Sequence, residues 1–365
     1  MNRIKEAVIL IPGMDGKSKN ASLNRLERAF FQHPDHQEST KHGGLPQKLG
    51  GSSLIFKRGK ALSEIHLFEL FWGDLRTDLT KEPIRNQIFK GIHLLNESRK
   101  MLKFSGQPRG LRLCGFVTSL GLLVWWLGLL IMAFNFIPLV TDGKSFADVV
   151  ASDDSSLLSK FWSSIVCLVN WRLGVFLIII TLCFKKVIEM GVNIIHFTLR
   201  YDSEIHLQNE IWQRFALLFD QVNADESYSR ITVLSHSFGT VIHANWLKDF
   251  TGESSRIRHI TMGSPLAIMA LHSENIRKML AGALEKAKKK QSSWIDYFSD
   301  HDWMCSAVPH SLESFGMKSI EATQFEIQGT KLELGGRETF RLRWADNHLK
   351  YLQDESILEV LLPEI

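Results

Sequence analysis

Between Leu113 and Val140 the chain runs for 28 residues without a charged side chain. As a helix this segment would be about 42 Å long, against a hydrocarbon core of about 30 Å. Soluble helices rarely stay uncharged for so long, so the segment is expected to cross a bilayer with tilt, or with its Pro138 end in the interface. A second candidate, Phe161 to Phe184, lies between Lys160 and Lys185-Lys186. It carries Asn170 and Arg172 near its middle. An arginine at mid-membrane costs about 2.5–3.5 kcal/mol, which the apolar run Leu173 to Phe184 offsets. Arg172 would face the partner helix, reach a surface or meet another subunit. Two helices alone enclose no pathway, so a structural role is expected for it rather than transport.

The flanks give the orientation. The loop 141–160 holds Asp142, Asp148, Asp153 and Asp154 against Lys144 and Lys160. Arg99, Lys100, Lys103, Arg109 and Arg112 precede the pair, and Lys185, Lys186 and Arg200 follow it. The positive-inside rule puts both basic flanks in the cytoplasm and the acidic loop outside. The expected organisation is therefore a transmembrane hairpin (106–190, helices about 113–140 and 161–184). It interrupts one cytoplasmic domain made of residues 1–105 and 191–365. The apolar run Ala7 to Ile11 is too short for a secretory signal core and ends at Pro12-Gly13, so it reads as a buried strand. Four cysteines make no disulfide framework; Cys114, Cys167 and Cys183 fall in apolar stretches, which fits buried thiols in a reducing compartment. A net charge of +4 excludes nucleic-acid binding by bulk electrostatics.

Outside the hairpin, short apolar strands alternate with amphipathic helices. Strands are expected at Ala7–Ile11, Ile65–Trp72, Ile231–Leu234, Ile257–Thr261 and Phe340–Trp344. Helices are expected at Ser22–Gln32, 82–104, Ser203–Val222, Thr240–Phe250, 274–290 and Leu349–Leu362. Residues 34–53, rich in Gly, Pro, Lys and His, read as an exposed loop. At their start, His33-Pro-Asp-His36 carries metal-like residues without a fitting third ligand and reads as loop too. This alternation predicts an α/β fold, a mostly parallel sheet covered by helices on both faces.

The motif with the most chemistry is Ile231-Thr-Val-Leu-Ser-His-Ser237-Phe-Gly239. An apolar strand runs directly into Ser-x-Ser-x-Gly and then a helix. A nucleophilic serine needs such a tight turn to lift its Oγ clear of the sheet, with small residues two positions either side. The helix start also supplies backbone N–H groups for an oxyanion. Three further stretches accompany it: Ile9-Leu-Ile-Pro-Gly-Met14-Asp-Gly, His259-Ile-Thr-Met-Gly-Ser-Pro265, and Trp294-Ile-Asp-Tyr-Phe-Ser-Asp-His-Asp302. Near the end stands Asp346-Asn-His348-Leu-Lys-Tyr351.

Together these resemble the α/β-hydrolase superfamily of the lipase and esterase type, over about residues 5–105 and 200–365. The first elbow position departs from that family, since Ser235 stands where Gly is usual. The resemblance implies Ser237 as nucleophile, His348 as base and Asp302 as acid, with Asp300 as the rival acid and Asp296 inside the strand. It implies an oxyanion hole from the N–H groups of Met14 and Phe238. No metal or cofactor is implied.

A hydrolase tied to a bilayer has its pocket close to acyl chains, so a lipid ester is the expected substrate and the bilayer the expected partner. Lys286 to Lys290 could rest on anionic head groups. Thioesters and amides fit the same triad. The competing expectation is a non-catalytic scaffold whose hairpin oligomerises or perturbs the membrane.

Overall fold

The computed structural model describes residues 4–14, 18–40, 45–58, 61–76, 119–121, 123–124, 127, 196–252, 255–266, 269–270, 273–290, 293–299, 302, 305, 308, 328–331 and 348–362. The chain forms two compact units. One comprises Met1–Arg76, Phe104–Cys114 and Thr198–Ile365; the other comprises Thr77–Lys103 and Gly115–Phe197.

The first unit is an α/β structure built on one eight-stranded, mostly parallel sheet. In chain order the strands are β1 (Ile4–Ile11), β2 (His36–Thr40), β3 (Ser52–Arg58), β4 (Ala61–Glu69), β5 (Arg230–His236), β6 (Ile257–Met262), β7 (Ser293–Phe298) and β8 (Gln328–Lys331). Across the sheet they lie as β2-β3-β4-β1-β5-β6-β7-β8. Pairing is parallel from β4 through β1 to β8, while β3 runs antiparallel to both its neighbours. The helices are α1 (Ala21–Phe31), α2 (Leu45–Lys48), α3 (Ile205–Asn223), α4 (Gly239–Asp249), α5 (Glu274–Lys290) and α6 (Glu355–Leu361).

The period of two in each strand decides the layering. Val8, Leu10, Leu234, Ile260 and Met262 form one apolar face, packed with Leu23, Leu26 and Phe30 of α1 and Ile357, Leu358 and Leu361 of α6. Each such fully buried side chain contributes about 1.5–3 kcal/mol. The opposite face carries Ser235 and His259, whose side chains meet His243 of α4. Helices therefore cover both faces, which is why β1 from Ala7 to Ile11 and β5 from Ile231 to Leu234 are buried on both sides. In α3 Leu207, Ile211, Phe215, Leu218, Phe219 and Val222 are buried and form one helical stripe. The N-terminus of α1 is capped from β4: Glu69 Oε2 accepts from the Leu23 N–H at 2.6 Å, a carboxylate at the positive end of the helix.

Several expectations need correction. Residues 34–53 are not one loop, because β2, α2 and the start of β3 lie there. The second expected strand starts earlier and ends at Glu69, before Trp72. The closing helix is broken: Lys350–Gln353 is a 3-10 turn, and α6 starts afresh after Asp354, whose side chain accepts from the Ser356 N–H at 3.1 Å. The expected helix 82–104 and strand Phe340–Trp344 lie outside the described residues. So do the two membrane segments, except for 119–121, 123, 124 and 127, which are helical. Among the described residues no helix is long and apolar enough to cross a membrane.

Candidate active site

The register aligns the carboxyl ends of the central strands. Ile11 of β1 is paired with Ser235 of β5, Ser235 with Thr261 of β6, and Thr261 with Asp296 of β7. Ligands of open parallel sheets bind beyond this edge, where the strand order reverses. Here that reversal lies at β1, flanked by β4 and β5. The loop Pro12-Gly13-Met14 and Ser237 both leave the sheet at this point.

Ser237 has φ 55°. A non-glycine residue in the left-handed region costs about 1–2 kcal/mol, so its neighbours must hold it. Its N–H donates to the Met262 carbonyl at 3.0 Å. Its own carbonyl accepts from the Thr240 N–H at 3.0 Å and from Thr240 Oγ1 at 2.7 Å. Thr240 Oγ1 in turn meets Ser264 Oγ at 3.0 Å. Gly239 is required at its place, because a Cβ there would lie 2.1 Å from the Ile11 carbonyl oxygen. The elbow thus sits flush on the end of β1, beside the Met14 loop.

Ser235, the departure from the usual glycine, is accommodated by hydrogen bonds. Its Oγ lies 2.9 Å from His243 Nδ1 and 3.2 Å from the Ile260 carbonyl. His243 Nε2 is 2.9 Å from His259 Nδ1. Burial drives the pKa of His259 down to about 3, and burial and then His259 hold His243 well below its usual value. Both rings are neutral.

His348 and Asp302 come together. His348 Nδ1 lies 2.6 Å from Asp302 Oδ2, and both side chains are nearly or wholly buried. Asp302 accepts, so the proton sits on Nδ1 and Nε2 is the basic nitrogen of the neutral ring. The pair lies over Gly263 (φ +57°): a Cβ there would come within 3.2 Å of His348 Cε1 and 3.3 Å of Asp302 Oδ2. Gly263 directly follows Met262, which holds the Ser237 N–H. Nucleophile, base and acid candidates therefore occupy one rim. Among the described residues no hydrogen bond closes the remaining leg from Ser237 Oγ to His348 Nε2, and such bonds often tighten only when substrate binds.

Around them, Tyr351 Oη is 3.3 Å from Cys305 Sγ. Burial pushes both the phenol and the thiol well above their usual values, with Asp302 adding to each. Trp72 Nε1 donates to the Pro12 carbonyl at 3.0 Å, and the Trp72 ring packs on Phe238. This ties the Met14 loop to the elbow. Met14 is half-buried in that loop.

Asp296 lies in β7, within the strand as the sequence suggests, and the structure buries it fully. It accepts from Thr261 Oγ1 at 2.6 Å and from the Val308 N–H at 2.8 Å. Burial raises its pKa to about 6. Asp300 lies outside the described residues, whereas Asp302 faces His348. His33, expected in a loop, meets Glu359 Oε1 at 3.0 Å, and His36 opens β2. Among the described residues no His, Cys, Asp and Glu group could hold a metal ion. Reading the sequence missed Thr240, Ser264 and His236 as parts of the site. Gly-Ser-Pro after β6 is the signal for Ser264; the other two stand at positions that the elbow pattern leaves open. No protein-family model, curated protein or solved structure matches this chain.

Proposed function

We propose that the chain is a serine hydrolase acting on a carboxylic ester, most economically that of a lipid, and held at a membrane by a hairpin over about 113–140 and 161–184. The observation that carries the reading is the buried 2.6 Å His348–Asp302 pair beside a serine held at φ 55° on the same sheet edge. In this reading Ser237 Oγ attacks the acyl carbonyl while His348 Nε2 takes its proton. Asp302 fixes the tautomer and stabilises the imidazolium. The N–H groups of Met14 and Phe238 hold the oxyanion; loss of one such donor typically costs about 10²–10³ in rate. His348 then protonates the leaving alcohol, and water, deprotonated by the same ring, releases the acid. No step uses a metal or cofactor.

The membrane assignment rests on the two apolar segments and their basic flanks alone, with the catalytic part expected on the cytoplasmic side. The test is labelling of detergent extracts with a fluorophosphonate probe. Wild type should label, and Ser237→Ala should not. A folded wild type that resists the probe would favour the scaffold reading. Retention in the pellet after alkaline carbonate extraction tests the anchor.

A further inference from the structure

We infer that His236, the residue before the proposed nucleophile, is a positioning residue for the proposed base: it fixes the main chain and ring of His348 relative to Ser237. The inference rests on the hydrolase reading. His236 is wholly buried at the end of β5. Its Nε2 lies 2.7 Å from the main-chain oxygen of His348. A carbonyl only accepts, so His236 Nε2 carries the proton and donates. This bond joins the residue adjacent to the serine directly to the residue that must accept the serine's proton.

A second contact involves the ring. The His236 and His348 imidazoles lie with centroids 4.8 Å apart and a 38° tilt. On another side, Gly263 leaves only enough room for the ring, since a Cβ would stand 3.2 Å from His348 Cε1. With Nδ1 held by Asp302, the imidazole is constrained by a ring contact, a backbone contact and a carboxylate. His236 supplies the first of these and also anchors the backbone. An apolar residue would fill this buried site as well, but it would leave the His348 carbonyl without this donor. Proton transfer between positioned groups is sensitive to displacements of about 1 Å, which can cost about 10²-fold. His236 touches neither substrate nor the reacting atoms, and acts through His348.

The test uses second-order rate constants for fluorophosphonate labelling of the full chain in detergent, with melting temperatures measured in parallel. His236→Leu is expected to slow labelling about 10- to 100-fold. His236→Gln, whose amide N–H reaches the place of Nε2, is expected to restore most of the rate. Should H236L not fold, H236N replaces it, since its amide is too short to span to His348. The deciding comparison is in a His348→Ala background, where H236L should add no further slowing.

Three outcomes overturn the inference while leaving the hydrolase reading intact. They are wild-type labelling rates in H236L, equal losses in H236Q and H236L, and a full H236L effect persisting in H348A. A folded wild type that never labels overturns the hydrolase reading, and this inference with it.

Discussion

Ser235 invites a substitution whose outcome the family resemblance and the structure predict with opposite signs. The resemblance makes glycine the ordinary residue there, so Ser235→Gly should be harmless. The structure says otherwise. The Ile260 carbonyl only accepts, so the Ser235 hydroxyl donates to it at 3.2 Å. Ser235 Oγ then accepts from His243 Nδ1–H at 2.9 Å, and His243 Nε2 accepts from His259 Nδ1–H at 2.9 Å. The chain ends on His259 Nε2, buried and without a hydrogen-bond partner among the described residues. The reverse polarity would leave an N–H there with no acceptor, which costs more. Removing the Ser235 oxygen strands His243 Nδ1–H in a fully buried position. That costs about 1–3 kcal/mol, and glycine in a strand adds about 0.5–1 kcal/mol. At about 2–4 °C per kcal/mol for a unit of this size, Ser235→Ala should melt about 2–12 °C below wild type, and S235G somewhat lower still. Thermal unfolding in detergent measures this. In a His243→Leu background the stranded donor is gone, so most of the S235A cost should vanish. If S235G melts at or above wild type, or if S235A costs the same in both backgrounds, the hydrogen-bond chain is not what accommodates the serine.

Gly263→Ala places a Cβ 3.0–3.3 Å from Tyr351, His348 and Asp302 at a φ of +57°; labelling should fall at least about tenfold, with a lower melting temperature, and unchanged labelling would refute the packing argument. Stability should fall with acid: unfolded imidazoles take up protons below pH 6.5 while buried His259, at about 3, and His243 stay neutral, giving about 1.4 kcal/mol per pH unit per proton. Asp296 acts in the opposite sense, since between 3.8 and about 6 the folded state holds a proton that the unfolded state lacks, a contribution present at low pH and lost as pH rises through 6. Asp296→Asn should therefore steepen the loss of stability between pH 6 and 4; an unchanged slope in urea titrations across that range would refute the assignment.

The strands that reading the sequence finds are those buried on both sides. β1 and β5 carry the apolar stretches Ala7–Ile11 and Ile231–Leu234, β6 keeps Ile257, Ile260 and Met262, and the three end in Pro-Gly, Ser-x-Ser-x-Gly and Gly-Ser-Pro, so length and turn chemistry suffice. β2 escapes because His36-Gln-Glu-Ser-Thr40 is a polar edge strand with no alternation, specified by its pairing with β3. β8 is four residues with a glycine, and exists through the ladder with β7. The break before α6 escapes because the buried Tyr351, Leu358 and Leu362 stand at i, i+7 and i+11, a helical period, across it. Only the Asp354 cap interrupts that period, and its signal is local. At the site, the elbow and the order Ser, Asp, His are legible as motif. The resemblance already points to Asp302 ahead of Asp300, and what the structure adds is its 2.6 Å contact with His348. His236 stands at the free position of the pattern, and its role exists only once His348 is folded against it.

A binding scaffold and a hydrolase would share the sheet, the layering and the apolar core. They differ in what a fold must maintain against its own preferences. Ser237 at φ 55° costs about 1–2 kcal/mol, and a buried carboxylate is expensive unless paired. Each is sustained here by specific small groups: Thr240 and Ser264 behind the elbow, Gly239 against Ile11, Gly263 beneath the His348–Asp302 pair. A fold without need of a raised hydroxyl could relax that turn to an ordinary helix start, and could fill the space over Gly263 with a side chain. That several independent groups at one rim all oppose this relaxation favours the catalytic reading. It also fixes where that reading is most exposed: a substitution that relaxes the Ser237 turn should raise stability while abolishing labelling, and one that raises both would leave the strain without a purpose.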